Sequence, residues 1–252
     1  MTRKTIYLHA GMHKTGSTSI QYYLRTHHVF FAEHGMAVLM NSDMAPFEKK
    51  GPAVATNSYG LAHILLRPEL ATPVRLRDRV PEYDDAQRAG AIALARETIA
   101  NKPSESLIIS AEAFSFLKTP EERDLLLTLT EGHILRPIVF LRERLAWLAS
   151  WQRQSADLKA RLERKGRMIN GKVVGYAEHV LDSSVDSAMG WHEDIRNFFG
   201  PDATYLSYEN ALARDGSVIP DFLRALGLDP DECPDPSAAR WHNRTRYDAD
   251  DD

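Results

Sequence analysis

Cysteine is almost missing from this chain of 252 residues: Cys233 stands alone. A single thiol excludes an internal disulfide and suits a reducing compartment. Without a Cys-x-x-Cys pair, no metal site is expected. Long apolar runs are missing too. The first strand-like stretch, TIYLHAG, falls well short of a signal sequence or of the roughly 20 residues that cross a bilayer. No membrane span and a cytoplasmic location are therefore expected. A surplus of positive charge is also lacking, with 31 Lys and Arg against 35 Asp and Glu and a net charge of −4. Nucleic acid is accordingly not an expected partner. Internal repeats and low-complexity tracts are absent except at the acidic end, YDADDD, where 248–252 is expected to be a disordered tail.

What the chain does contain is an alternation of short apolar strands and amphipathic helices. Strand patterns occur at KTIYLHA, SLIIS, RPIVFL and ATYLSY. Helical patterns occur at STSIQYYLRTHHVFFAEH, SYGLAHILL, DDAQRAGAIALARETIAN, TPEERDLLLTLTEG, from about Leu145 to Arg164, AMGWHEDIRNFFG and VIPDFLRALG. In TPEERDLLLTLTEG, Thr119 is placed as N-cap with Pro120 at the first helical position. Strands separated by helices predict an α/β fold of three α/β/α layers around a mostly parallel sheet, like that of P-loop NTPases. Residues 1–247 read as a single domain. Within it, 41–100 stands out as an insertion, and 41–83 is rich in Pro, Gly and Asn.

Between the first strand and the first helix runs AGMHKTGSTSI. Gly11 and Gly16 have the separation of a Walker loop, G-x-x-x-x-G-K-[ST]. The order of the remaining parts differs, because Lys14 precedes Gly16, and Ser17 and Thr18 follow it. A helix N-terminus carries unpaired N–H groups and partial positive charge, so it attracts anions. A lysine set just before it, with the hydroxyls of Ser17, Thr18 and Ser19 clustered there, describes a cradle for phosphate or sulfate. The missing G-K-[ST] argues against an Mg-nucleotide kinase, in which that hydroxyl binds the metal. Further on, RPIVFL runs directly into Arg142, and Ser150 follows eight positions later. Such a pair is able to grip one phosphate across the first turns of a helix.

Together the two constellations resemble the sulfotransferases that use 3′-phosphoadenosine 5′-phosphosulfate (PAPS), and the phrase HAGMHKTGSTSIQ resembles the bacterial branch of that family. The resemblance covers the glycine loop, the Arg142–Ser150 pair, and the late stretches YLSYENAL and FLRALGL; residues 41–100 share nothing recognisable with it. It implies that Lys14, Thr15, Gly16, Ser17, Thr18 and Ser19 hold the 5′-phosphosulfate, that Arg142 and Ser150 hold the 3′-phosphate, and that no metal takes part. Lys14 then serves the oxygen that bridges sulfur and phosphorus. A basic late segment, RWHNRTRY, brings Asn243 and Arg244 as further nucleotide contacts, while Tyr208 and Glu209 support the glycine loop from behind.

Sulfuryl transfer needs a general base for the acceptor hydroxyl or amine. Glu112 in LIISAEAF is the first candidate, since it follows a strand and should reach the same sheet edge. A helix-capping role for this stretch is the alternative. His63 is the second candidate, and His34 and Glu33 follow. The acceptor, a glycan or another small hydroxylated metabolite, is expected to meet residues 41–100. A P-loop phosphotransferase, or a non-catalytic relative that binds nucleotide or carbohydrate, remains as an alternative.

Overall fold

The computed structural model describes residues 3–43, 57–77, 80 and 83–235. Five parallel strands form the central sheet: β1 (Thr5–His9), β2 (Met36–Leu39), β4 (Ser106–Ser110), β5 (Ile134–Leu141) and β9 (Thr204–Ser207), in the order β2-β4-β1-β5-β9. β1 lies at the centre, with Thr5 level with Ser106 on one side and with Ile134 on the other. Parallel strands need crossovers, and the helices supply them on both faces. One face packs Leu8, Leu107, Ile109 and Val139 against α3 (Tyr59–Leu65), α4 (Asp85–Asn101), α6 (Arg144–Arg164) and α7 (Val185–Phe199). The opposite face packs Ile108, Ile138 and Phe140 against α1 (Ser17–Thr26) and α9 (Ile219–Ala225). This is the expected three-layer arrangement.

β5 carries Pro137 in a strand paired on both sides, a position that proline rarely tolerates. The Ile138 carbonyl and both backbone groups of Phe140 bond the chain that continues β1, so by alternation Pro137 turns its missing donor toward β9. Pairing with β9 begins only at Ile138, and nothing there needs that N–H.

The helix caps match the sequence pattern closely. Thr119 and Glu122 form a capping box at the start of α5 (Pro120–Leu129), and Asp84 with Gln87 does the same for α4. The first helical pattern breaks at His27 into α1 and α2 (His28–Glu33), and the chain then enters β2. Within the expected insertion, α3 ends against two arginines. Arg75 donates to the carbonyls of His63 and Leu66, and Arg88 to those of Ile64, Leu65 and Leu66. Terminal carbonyls that a helix leaves unpaired are thereby satisfied by cations where the macrodipole favours them. A satellite cluster of Ala71, Leu76, Leu158, Leu162, Met168, Val173 and Leu181 joins the far half of α6 to β3 (Leu70–Ala71), β6 (Met168–Ile169) and β7 (Lys172–Val173).

Candidate active site

β1 delivers the chain to the middle of the carboxyl edge of the sheet, where ligands of open α/β sheets bind. The glycine loop continues the pairing with β5: Ala10 N–H donates to Ile138, Phe140 N–H to Gly11 and Met12 N–H to Phe140, at 2.9–3.1 Å. The cradle is thus an extension of the sheet. Thr15 and Ser17 turn their hydroxyls inward, donating to the Met12 carbonyl at 2.7 and 3.0 Å. Both are buried, so in this arrangement they shape the loop, while Thr18 is exposed and Ser19 half-buried on the first turn of α1. Gly16 caps α1 in the left-handed region (φ 80°) with no side-chain cap. A Cβ there would come within 2.8 Å of the Val218 side chain, so only glycine fits. Lys14 also has positive φ, 65°, a conformation that costs a non-glycine residue about 1–2 kcal/mol. Its side chain is exposed.

On the β5 side, Arg142 donates from a guanidinium nitrogen to the Lys14 carbonyl at 3.1 Å and lies 5.0 Å from the Tyr208 ring centre. Its Nε is buried without a hydrogen bond, 3.8 Å from Glu209. Glu209 also accepts the Glu143 N–H at 3.1 Å, and Glu143 caps α6 by accepting from Leu145 and Ala146. A cation just before a helix start is disfavoured by the macrodipole, and Glu209 supplies the counter-charge for Arg142. Tyr208 and Glu209 accordingly hold Arg142 rather than the glycine loop. Ser150 is buried on α6, six residues beyond Arg144, which is ~9 Å along the axis.

On the β4 side, Glu112 opens a 3₁₀ turn, Glu112–Phe116. Gly11 has φ 89°, and a Cβ there would meet the Cα and carbonyl oxygen of Glu112 at 3.2 Å. Loop and turn therefore touch backbone to backbone. Burial pushes the Glu112 carboxyl up to about 7, against the pull of Lys14 and Arg77. Although Lys14 reaches the surface, desolvation by the surrounding loop lowers it, opposed by the Glu112 carboxylate and reinforced by Arg142 and Arg153. Oε2 of Glu112 lies 3.4 Å from His13 Nε2. His13 is enclosed by Phe116, Trp151 and Trp191, with ring centres at 4.7, 5.5 and 6.0 Å, and Trp147 donates to its carbonyl at 3.0 Å. Burial holds its imidazole down to about 3, with Lys14, His63 and Arg77 repelling the charged form.

Of the sequence candidates, the structure brings together Lys14, Glu112 and Arg142. His63 sits apart in function: it is buried in α3, with Nδ1 2.6 Å from the Tyr59 carbonyl and Nε2 2.7 Å from the Thr72 hydroxyl. The carbonyl fixes the proton on Nδ1, and Nε2 accepts from Thr72, so neither nitrogen is left for an acceptor proton. His34 and Glu33 precede β2 and lie at the amino edge of the sheet, opposite the cradle. Asn243, Arg244 and the 248–252 tail lie outside the described residues. His13, three of the four tryptophans and Arg77 join the site without having been singled out; His13 stood inside the glycine-loop phrase itself. His9 and His13 are spaced as a helical metal pair would be, but they lie on a strand end and a loop, and His9 bonds Ser110 at 2.8 Å. Among the described residues, no group of three or more His, Cys, Asp or Glu is placed to hold a metal.

The chain matches no protein-family model, and no curated protein matches it. Among solved structures it is similar to a sulfotransferase from Alicyclobacillus acidocaldarius, at 15% identity and a TM-score of 0.50, over 94% of this chain and 86% of that one. A sulfotransferase domain from the curacin biosynthetic pathway follows at 13% identity and 0.40, over 95% and 82%. The PezAT toxin–antitoxin system of Streptococcus pneumoniae follows at 8% identity and 0.29, over 79% and 88%. The first likeness establishes a shared fold across nearly the whole chain; the other two are too distant to add to it.

Proposed function

We propose that the protein transfers a sulfuryl group from PAPS to a hydroxyl or amine of a small-molecule or glycan acceptor. One observation carries this reading: Lys14 and a carboxyl of near-neutral pKa, Glu112, act on each other across one glycine loop, with Arg142 bonded to the same loop from its other side. The residues suit the donor. α1 begins without a side-chain cap and Arg142 keeps a buried Nε without a hydrogen bond, which are places for phosphate oxygens. The donor supplies an activated sulfuryl group and a stable leaving phosphate.

The rest of the work falls to the chain. Glu112 accepts the acceptor proton as the new bond to sulfur forms. The bond from sulfur to the bridging oxygen breaks, and its electron pair stays on the departing phosphate. Lys14 meets the negative charge growing on that oxygen, a contribution made mainly in the transition state. Arg142, with Ser150 behind it, holds the nucleotide's second phosphate. Residues 57–77, which bring Arg77 to the Glu112 side, belong to the acceptor pocket.

Titration calorimetry with 3′-phosphoadenosine 5′-phosphate (PAP), 5′-AMP and Mg-ATP tests the reading. PAP should bind tightly and 5′-AMP at least tenfold more weakly. A preference for Mg-ATP would replace the proposal with a phosphotransferase.

A further inference from the structure

His13 has no assigned part in this chemistry, yet it is 94% enclosed, with a relative exposure of 6%, and it touches the proposed base. Its Nδ1 is buried with no hydrogen-bond partner, while Nε2 faces Oε2 of Glu112 at 3.4 Å. A neutral imidazole carries one proton. On Nδ1 that proton would be an unpaired donor sealed among aromatic rings, the costly case. On Nε2 it points at a carboxylate. From the second placement we infer that His13 is a positioning residue, an uncharged donor that tethers Oε2 of Glu112 and leaves Oε1 to receive the acceptor proton.

The inference rests on the sulfotransferase reading for its catalytic meaning, but not for its geometry. The separation of 3.4 Å is a contact rather than a formed hydrogen bond, and catalytic hydrogen bonds of unliganded sites shorten when substrate binds. Neutrality matters as much as direction. A cationic partner would draw the carboxyl toward the ordinary acid range and weaken it as a base. The aromatic enclosure by Phe116, Trp151 and Trp191 keeps the imidazole uncharged, since burial dominates its shift. The other charged or titratable groups acting on the pair are Lys14 from the loop, Arg77 from the turn Arg75–Arg77 and His63 from α3. His63 cannot substitute, because both of its nitrogens are engaged. His192, on α7, turns its own nitrogens to the Ala188 and Arg142 carbonyls. The Nε1 of Trp147 donates to the His13 carbonyl from α6 and so fixes the backbone that carries the ring.

Two substitutions separate the donor from the packing. His13→Phe keeps a ring in the enclosure and removes the donor; His13→Gln keeps an N–H near the position of Nε2. The first readout needs no nucleotide: the Glu112 carboxyl titration, followed by carbon NMR in labelled protein. His13→Phe should move the midpoint upward, because the charged form loses its donor, and His13→Gln should return it toward wild type. The second readout is turnover with PAPS. His13→Phe should lower kcat roughly ten- to a hundredfold, the worth of one hydrogen bond to a charged group, and shift the acid limb of its pH profile upward. PAP affinity should stay unchanged, and His13→Gln should restore most of the rate. If the Phe variant does not fold, His13→Met fills the space without a donor and takes its place. An unmoved midpoint, or equal losses in the Phe and Gln variants, overturns the inference even in an active sulfotransferase. A moved midpoint in a protein that does not bind PAP leaves the inference standing and sinks the proposed reaction.

Discussion

The two sides of the glycine loop are built from opposite materials. Toward β5, Arg142 is balanced by the Glu209 carboxylate and the Tyr208 ring, and Glu209 also accepts the Glu143 N–H at the start of α6. Toward β4, a cluster of three tryptophans and Phe116 encloses His13, and His13 meets Glu112, whose carboxyl is poorly solvated on that side. A permanent charge such as a guanidinium needs only partners, and it works whatever the pH. A carboxyl that must take up a proton near neutrality needs the reverse, a place where its charge is poorly solvated. The contrast teaches that one loop serves two electrostatic tasks by leaning on a polar neighbour on one side and a dry one on the other.

The dry side is where the largest effect is expected. Glu112→Gln should reduce kcat by roughly 10²–10⁴, the usual worth of a general base, with PAP affinity unchanged by calorimetry. In the wild type, kcat/KM should rise with pH through about 7 as Glu112 of the free enzyme loses its proton, and that limb should vanish in the variant. Stability runs the other way. Its folded pKa of about 7 exceeds the ordinary 4.5, so the native state binds the extra proton between these values. That contribution is complete below about pH 4.5 and is lost as pH rises through 7. Urea titrations at pH 5 and 8 should show the difference, and Glu112→Gln should flatten it.

Lys14→Ala comes next and strikes the centre of the loop. A loss of roughly 10²–10³ in kcat is expected, typical of one transition-state donor, with a much smaller change in PAP affinity. Wild-type kcat in single-turnover assays would remove Lys14 from the reaction.

Smallest is the effect on the polar side. Arg142→Ala should weaken PAP binding by about 2 kcal/mol, the low end for a charge pair, because Glu209 already shares its charge. Unchanged PAP affinity would place the second phosphate elsewhere.

Residues whose partners are near in sequence were legible before any coordinates. Thr119, Pro120 and Glu122 spell out a helix start within four positions, and Lys14 with Gly16 marks a loop that turns toward an anion. Arg142 was legible for the same reason, as the end of an apolar run. Other features depend on distant partners. His13 looks like any loop histidine until α6 and α7 bring Trp147, Trp151 and Trp191 around it. His63 looked available as a base because nothing in YGLAHILL points to the Thr72 hydroxyl or to its own helix carbonyl. β2 escaped notice for a different reason: four residues, MAVL, carry too little periodicity to separate a strand from a helix end. α8 (Tyr208–Asp215) was hidden likewise, since its cap, Ser207, is also the last residue of β9.

The close approach at Gly11 has a mechanical meaning. Because that glycine rests directly on the backbone of Glu112, the anion cradle and the proton acceptor have no slack between them. A displacement of one is therefore passed directly to the other. A methyl group inserted at that joint would strain the left-handed loop backbone and wedge it from Glu112, disturbing both halves of the reaction at once.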